Sequence, residues 1–383
     1  MHKNFLLYTS IFLLLGIACQ PTSKEPEVLT PTRITIIESL KHPWSMAFLS
    51  EEEVVVSEKD GDLLRINLST KERHSITGFP EDLVDSIRVK DGRDNSGIFE
   101  VVLHPAFQQN QQIYVSYAAE AEGGTTTKVV RARLENDSLE EVSVILVAQP
   151  YSEDLFHYGG GMTFGSEGKL YVTVGERYYN EIDQPDLPVA QDIQDRRGKI
   201  YRLNPNGSIP VDNPDMGLEA IPGIYAMGIR AAQGITLHPE TGGIWFSEHG
   251  SFQGDEINIL KPGANYGWPI ITTGNYRNDD FQPPAIDATF TEPAWSWEET
   301  VAPTGLCFYT GDEFPAWKGQ LLVPGLSKGN LWLMKVEGQK ITAAEKLFPE
   351  KPLRLRKVAQ SPEGKIYLLT DEPQGRILQI LPE

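Results

Sequence analysis

The segment GGGMTFGSEGKLYVTVGE (residues 159–176) contains two apolar runs joined by a turn of glycine, serine and glutamate. The run KLYVT is continuous enough for a buried strand, and GSEG supplies the residues that a tight hairpin requires. Similar apolar pairs with Gly-, Pro- or Asn-containing turns occur five more times, at residues 45–68, 97–118, 234–250, 305–325 and 357–380. A unit of this size cannot bury its own apolar side chains, so neighbouring units must cover one another.

Six such repeats predict an all-β protein, a six-bladed β-propeller of four-stranded antiparallel sheets arranged radially. Two open β-sandwiches in tandem are an alternative arrangement of the same strands. No long stretch has the pattern of an amphipathic helix. The long segments around 177–230 and 250–300 are expected to form loops on one face of the disc, where a rigid scaffold usually presents its binding site.

The N-terminal segment MHKNFLLYTSIFLLLGIAC (residues 1–19) has a lysine near its start, an apolar stretch and small residues before Cys19. It is typical of an export signal, and its apolar stretch is too short for a comfortable membrane span. GIAC favours a lipoprotein-type cleavage site with lipid on Cys19, and an ordinary secretory signal is the alternative. We therefore expect an exported, periplasmic or cell-surface lipoprotein, tethered to the outer membrane of a Gram-negative bacterium. Residues 20–35 are predicted to form a flexible linker and residues 36–383 the propeller.

Composition excludes several classes of function. The chain has 34 Lys and Arg against 53 Asp and Glu, a formal net charge of -19, which argues against a nucleic-acid partner. Without Cys19, only Cys307 is left, so no internal disulfide can form and a buried structural thiol is expected. The sequence contains no zinc-ligand spacing, phosphate-binding loop, dinucleotide fingerprint or nucleophile elbow.

Polar residues precede the innermost strand in four of the predicted blades. They are His157, Arg230, Thr300, Arg354 and Arg356. In a propeller this position lies at one mouth of the central channel, so the shared register predicts a cluster there. Guanidinium groups bind carboxylates in bidentate fashion, and such a cluster would suit a small polyanion.

Four segments resemble the soluble pyrroloquinoline quinone (PQQ) dependent glucose and aldose-sugar dehydrogenases. They are HYGGG (157–161), GIRAAQGITLHP (228–239), SEHGSFQGDEINILKPGANYGWP (247–269) and RLRKVAQSPEGKIYLLTD (354–371). The resemblance extends from about residue 37 to the C-terminus. It implies a six-bladed propeller that carries PQQ on its top face and oxidises an aldose at C1 to the lactone.

The resemblance also implies roles for individual residues. His157 corresponds to the general base, and Glu176 to an acidic residue that orients or tunes the region, where the family commonly has Asp. Arg230 would lie beside the quinone oxygen that gains negative charge. The expected cofactor-binding residues are Asn95, Arg230, Thr300, Lys328, Arg354 and Arg356, with Asn95 aligned to a substrate-facing Gln of some members. One calcium would bind PQQ and the main-chain oxygens of Gly250 and Ser251, and a second would bind Glu256 and the Tyr266 carbonyl.

Three further positions depart from the family pattern. Ala231 replaces an amide beside the quinone, and Gly161 replaces a common arginine. Ser327 occupies the place of a lysine, with Lys328 one residue later. These changes leave open an altered or inactive propeller that only binds a carbohydrate or another small ligand. A lactonase-like metal-dependent hydrolase is a third reading, although it needs clustered carboxylates at the channel. An active dehydrogenase would pass its electrons to an unidentified periplasmic acceptor.

Overall fold

A computed structural model describes residues 31–84, 95–177 and 187–382 of the chain. These residues form six four-stranded antiparallel sheets, which confirms the predicted six-bladed β-propeller and shows that the tandem-sandwich alternative is wrong. Each repeat identified in the sequence corresponds to one sheet, and the start of each repeat lies at or near the innermost strand.

The first three blades follow the chain from its N-terminal half. Blade one contains β2 (Pro43–Phe48), β3 (Glu53–Glu58), β4 (Leu63–Asn67) and β5 (Arg73–Ser75). Blade two contains β6 (Ile98–Leu103), β7 (Gln112–Ala121), β8 (Gly124–Glu135) and β9 (Ser138–Val147), with a short helix α1 (Phe107–Asn110) between β6 and β7. Blade three contains β10 (Gly159–Phe164), β11 (Leu170–Val174), β12 (Lys199–Leu203) and β13 (Ile224–Met227).

Blades four to six complete the ring. Blade four contains β14 (Ala232–Leu237), β15 (Ile244–Glu248), β16 (Glu256–Ile259) and β17 (Trp295–Ser296). Blade five contains β18 (Cys307–Phe308), β19 (Leu321–Pro324), β20 (Leu331–Glu337) and β21 (Lys340–Leu347), and a 3-10 helix spans Pro315–Trp317. Blade six contains β22 (Leu355–Gln360), β23 (Ile366–Thr370), β24 (Gly375–Pro382) and β1 (Pro31–Leu40).

The two ends of the described chain close the ring in one blade. Strand β1 pairs antiparallel with β24, with Thr32 opposite Leu381 and Thr35 opposite Leu378. Because β1 supplies the outermost strand of a sheet whose other strands come from the C-terminus, the hydrogen-bonded ladder locks the circle. Residues 31–35, which the sequence placed in a linker, belong to this strand.

The hydrophobic core lies between blades, not in one central mass. Six clusters of buried side chains each join two adjacent blades, as Val55 of β3 joins Val101 of β6 and Trp245 of β15 joins Leu321 of β19. Central strands such as β11 and β23 are buried along their whole length, as their continuous apolar runs predict. The ring therefore holds its innermost strands rigidly around the axis.

Near the axis, the Lys357 ammonium forms an ion pair with the buried Glu100 carboxylate at 2.8 Å, linking blades six and two. In the described residues, no helix has the length and apolar character needed to cross a membrane. The predicted export signal with Cys19 lies outside the described residues. Cys307 is free and partly buried, and desolvation raises the pKa of its thiol to about 11.

Candidate active site

A cavity of about 320 Å³ lies where the loops before the innermost strands converge. Its described lining contains eight residues proposed from the sequence: Asn95, His157, Arg230, Gly250, Ser251, Thr300, Arg354 and Arg356. These residues come from widely separated parts of the chain, and the propeller brings them together because they share one position in their repeats. The predicted cluster at one channel mouth is therefore present.

His157 and Glu176 form a hydrogen-bonded pair at the wall of this cavity. The His157 Nδ1 atom contacts Glu176 Oε1, and the Glu176 side chain is fully buried. A carboxylate can only accept, so Nδ1 carries the hydrogen and Nε2 keeps its lone pair. Glu176 is held in turn because its main-chain N–H donates to the Arg230 carbonyl at 2.9 Å. This arrangement fixes the tautomer that a general base requires.

The surroundings of His157 keep its imidazole neutral. Burial is the largest cause that lowers its pKa well below the ordinary value, and the positive charge of Arg230 lowers it further. His249, Arg277 and Arg177 act in the same direction. At neutral pH the Nε2 lone pair is therefore available to accept a proton.

Arg177 anchors the loop that carries His157. Its Nε donates to the Phe156 carbonyl at 2.9 Å and its Nη1 to the Thr125 carbonyl at 2.8 Å. The guanidinium also stacks on the Tyr158 ring, 3.6 Å from the ring centroid. His157 itself has a left-handed backbone, with φ of 47°, and the glycines that follow it let the chain turn directly into β10. Arg177 thus positions the base from outside the cavity.

Two of the arginines predicted from the sequence are held by packing and ion pairs. Arg356 is buried, stacks 4.0 Å above the Trp44 ring centroid and pairs with Asp371 at 3.1 Å. Arg354 is half exposed and donates from Nε to Asp371 at 2.6 Å. Burial alone would raise the pKa of Asp371, but Arg356 and Arg354 outweigh it and lower that pKa.

Arg230, on the loop before β14, completes this arginine set. Its guanidinium lies 5.1 Å from the Trp268 ring centroid, and Nη1 donates to the His249 carbonyl at 3.2 Å. His249 is neutral as well, because burial, against the opposing charge of Asp255, lowers its pKa to about 4. The cavity lining therefore contains four guanidinium groups, from Arg230, Arg277, Arg354 and Arg356, and one carboxylate, Asp255, within the described residues. This excess of positive charge in an acidic protein favours an anionic ligand.

Asp255 holds the loop of Gly250 and Ser251 against the neighbouring blade. Its Oδ1 accepts the Gly250 N–H at 3.0 Å, and its Oδ2 accepts the N–H groups of Val301 and Ala302, both at 2.7 Å. The Thr300 hydroxyl donates to the Phe252 carbonyl at 3.0 Å, across the same junction. Both main-chain oxygens expected to bind calcium are thus on a tightly fixed loop.

Glu256 and Tyr266 line a separate, much smaller cavity with Glu248. The Glu256 carboxylate accepts from Thr273 Oγ1 at 2.7 Å and from Asn258 Nδ2 at 3.1 Å. Burial, together with the neighbouring Glu256 charge, raises the pKa of Glu248 to about 8. Two carboxylates this close are costly to ionise together, so a cation bound between Glu248 and Glu256 would be stabilised.

The remaining predicted positions lie differently. Lys328 turns away from the cavity and pairs with Glu299 at 3.1 Å, whereas Ser327 is part of the lining. Ala231 is buried outside the described lining, and Gln233, two residues later, lines the cavity and accepts from Arg356 Nη1 at 3.3 Å. Gly161 also lies outside the described lining, with its N–H bonded to Thr173 Oγ1 at 2.9 Å.

Several lining residues were not singled out as site residues from the sequence. They are Gln233, His249, Phe252, Asp255 and Arg277. Gln233 and Asp255 lie within the quoted segments GIRAAQGITLHP (228–239) and SEHGSFQGDEINILKPGANYGWP (247–269), so their proximity to Arg230 and Gly250 was a usable signal. Arg277 lies in a long loop with no repeat register, and nothing in the local sequence points to the cavity.

The chain is similar in sequence and in fold to known sugar dehydrogenases. The family model described as Glucose / Sorbosone dehydrogenase matches residues 40–379. The chain is 31% identical to Aldose sugar dehydrogenase YliI of Escherichia coli (strain K12), over 100% of both chains. It is 26% identical to Quinoprotein glucose dehydrogenase B of Acinetobacter calcoaceticus, over 88% of this chain and 84% of that protein. The crystal structure of the soluble aldose sugar dehydrogenase from Escherichia coli in the apo-form has a TM-score of 0.84 at 30% identity, covering 92% of this chain and 100% of that one.

Proposed function

Because the chain belongs to the glucose and sorbosone dehydrogenase family, we propose that it oxidises an aldose sugar at C1 to the lactone, using PQQ and calcium. The observation that carries this proposal is the His157–Glu176 pair at the wall of an arginine-lined cavity. A neutral, oriented imidazole next to an anion-binding site is the combination that a quinone-dependent alcohol oxidation needs.

The chemistry of the cavity fits PQQ, a quinone that carries several carboxylates. Arg356 and Arg354 offer forked donors at blade six, and Arg230 offers a third guanidinium from the loop before blade four. Since Asp371 offsets only part of the charge of the first two, the site keeps positive charge for the ligand. Thr300 and Asn95 lie at the lining where they could contact the edge of the ring.

The donors at Gly250 and Ser251 fit calcium, a hard cation that prefers oxygen ligands. Gly250 cannot be replaced without moving the loop, because a Cβ there would lie 1.9 Å from the Gln253 carbonyl oxygen. Glu256 and the Tyr266 carbonyl would hold the second calcium next to the buried Glu248. In this proposal the first ion is catalytic and the second is structural.

The chain's own residues perform the proton chemistry. His157 Nε2 accepts the proton of the anomeric hydroxyl, and the C1–O bond becomes the carbonyl of the lactone. Glu176 stabilises the imidazolium that forms, through the same bond that orients the neutral ring. The Arg230 guanidinium lies in the cavity lining, where its positive charge would stabilise negative charge that develops during the reaction. When bound, PQQ with calcium as Lewis acid would supply the acceptor for the hydride that leaves C1.

A second candidate function is a propeller that binds a carbohydrate or another small ligand without oxidising it. The observation in its favour is the Lys328–Glu299 ion pair, which holds Lys328 outside the described lining of the cavity. The buried His157–Glu176 pair favours the enzyme, because a binding protein has no need to fix the tautomer of a histidine.

Reconstitution separates the two functions. Metal-free protein would be titrated with PQQ in calcium-containing buffer, followed by dye reduction with a panel of aldoses. The enzyme predicts a PQQ absorbance change and sugar-dependent dye reduction. Absence of both would refute it, whereas ligand binding by sugars with no PQQ change would favour the binding protein.

The site of action is a further part of the proposal. An exported enzyme anchored through lipid on Cys19 would deliver its electrons to a periplasmic acceptor. Metabolic labelling with a radioactive fatty acid should label the wild-type chain and not the Cys19→Ser variant. Equal labelling of both would contradict the tether.

A further inference from the structure

We propose that Arg277 competes with calcium for the main-chain oxygen of Ser251 and thereby sets how strongly the protein binds that ion. This inference rests on the proposed function, which assigns the Ser251 oxygen to calcium. It concerns a residue outside the motifs that carry the family resemblance.

Arg277 occupies the ligand position directly. It lies in the long segment between β16 and β17, lines the cavity, and donates from Nε to the Ser251 carbonyl at 2.8 Å. Ser251 is buried, whereas Arg277 is exposed on its outer side and has solvent into which it can turn. The guanidinium is therefore the mobile partner of this contact.

The loop itself cannot relieve the competition. Asp255 fixes the Gly250 N–H at 3.0 Å, and the close Gln253 carbonyl leaves no room for a side chain at Gly250. The Ser251 oxygen therefore keeps its direction, and a cation that binds it meets the guanidinium already there. Two cations at one carbonyl oxygen repel each other over a few ångströms.

Among the described lining residues, Asp255 is the one carboxylate against four guanidinium groups, so it offsets only part of that repulsion. It already accepts three main-chain N–H groups. Calcium binding must therefore displace Arg277 from the Ser251 oxygen. Because that displacement breaks the hydrogen bond from Arg277 Nε to the Ser251 oxygen, Arg277 stabilises the metal-free loop and lowers calcium affinity.

The test measures calcium alone, by isothermal titration of the metal-free full-length protein without quinone or sugar. Arg277→Met removes the competitor and keeps an unbranched side chain. Arg73→Met is the matched control, since Arg73 also donates to main-chain oxygens, of Ser39 and Glu38, but on the outer strand of blade one. Each variant is also made with Glu256→Gln, so that the second proposed calcium site does not contribute.

We expect Arg277→Met to bind calcium about tenfold more tightly than the parent, which corresponds to about 1.4 kcal/mol, and Arg73→Met to match the parent. Equal affinity of Arg277→Met and parent, or no calcium binding by Arg277→Met, would overturn the inference. The proposed function is judged separately by PQQ absorbance and dye reduction in excess calcium. If the PQQ and dye assays fail but Arg277→Met binds calcium more tightly, the proposed dehydrogenase function is refuted. The competition between Arg277 and calcium is then still supported.

Discussion

Replacing Glu176 by Gln tests whether the carboxylate behind His157 contributes to turnover. The change keeps the shape of the buried side chain but removes its negative charge, and the amide can present a donor to Nδ1 instead of an acceptor. A hydrogen bond to a charged group contributes about 1.5–3 kcal/mol. If that energy is realised only when the imidazolium forms, kcat falls by about 10- to 150-fold and KM changes little.

Steady-state dye reduction by the reconstituted variant measures this effect. Loss of the carboxylate also lowers the pKa of His157 further, so the acid limb of the pH–rate profile should move to lower pH. Glu100→Gln is the matched control, because Glu100 is a buried carboxylate that pairs with Lys357 away from the cavity. It should lower the melting temperature while the folded protein keeps its kcat. An unchanged kcat in Glu176→Gln would refute the proposed function of the pair.

Three further changes test the cavity and its surroundings. Asp255→Asn removes the negative charge that accepts three main-chain N–H groups and holds the proposed calcium loop in place. The calcium concentration needed for half-maximal PQQ binding should therefore rise at least about tenfold in an absorbance titration. Arg356→Met should weaken PQQ binding in the same titration more than Arg354→Met, because Arg356 is buried and Arg354 is half exposed; equal losses would contradict this ranking. Burial raises the pKa of Glu58 to about 7, so its contribution to stability is complete below the unfolded pKa and is lost as pH rises towards 7. Melting temperatures should therefore fall less between pH 5 and pH 7.5 in Glu58→Gln than in the parent, and parallel curves would contradict that.

The repeat pattern was sufficient to predict the propeller and the meeting of distant residues at one mouth. Each apolar hairpin in the sequence predicts one sheet. The position before an innermost strand is geometrically equivalent in every blade. For that reason His157, Arg230 and Arg356 could be placed together from the sequence, although they lie in blades three, four and six.

Features that depend on non-local contacts could not be predicted in the same way. Strand β1 joins the C-terminal sheet, and no local pattern in residues 31–35 indicates that partner. Lys328 differs from the expected lysine position by one residue, which is enough to turn it to Glu299. Arg277 reaches the cavity from a loop outside the repeat, so only the folded chain reveals it.

The most direct test of the proposed mechanism is the paired measurement of turnover and PQQ binding in His157→Ala. His157 lines the cavity, whereas the carboxylates of PQQ are proposed to bind the arginines. Removing the imidazole should therefore leave PQQ binding intact. We predict that the variant titrates with PQQ as the parent does and shows no sugar-dependent dye reduction above background. Dye reduction at the parental rate would show that His157 is not the base.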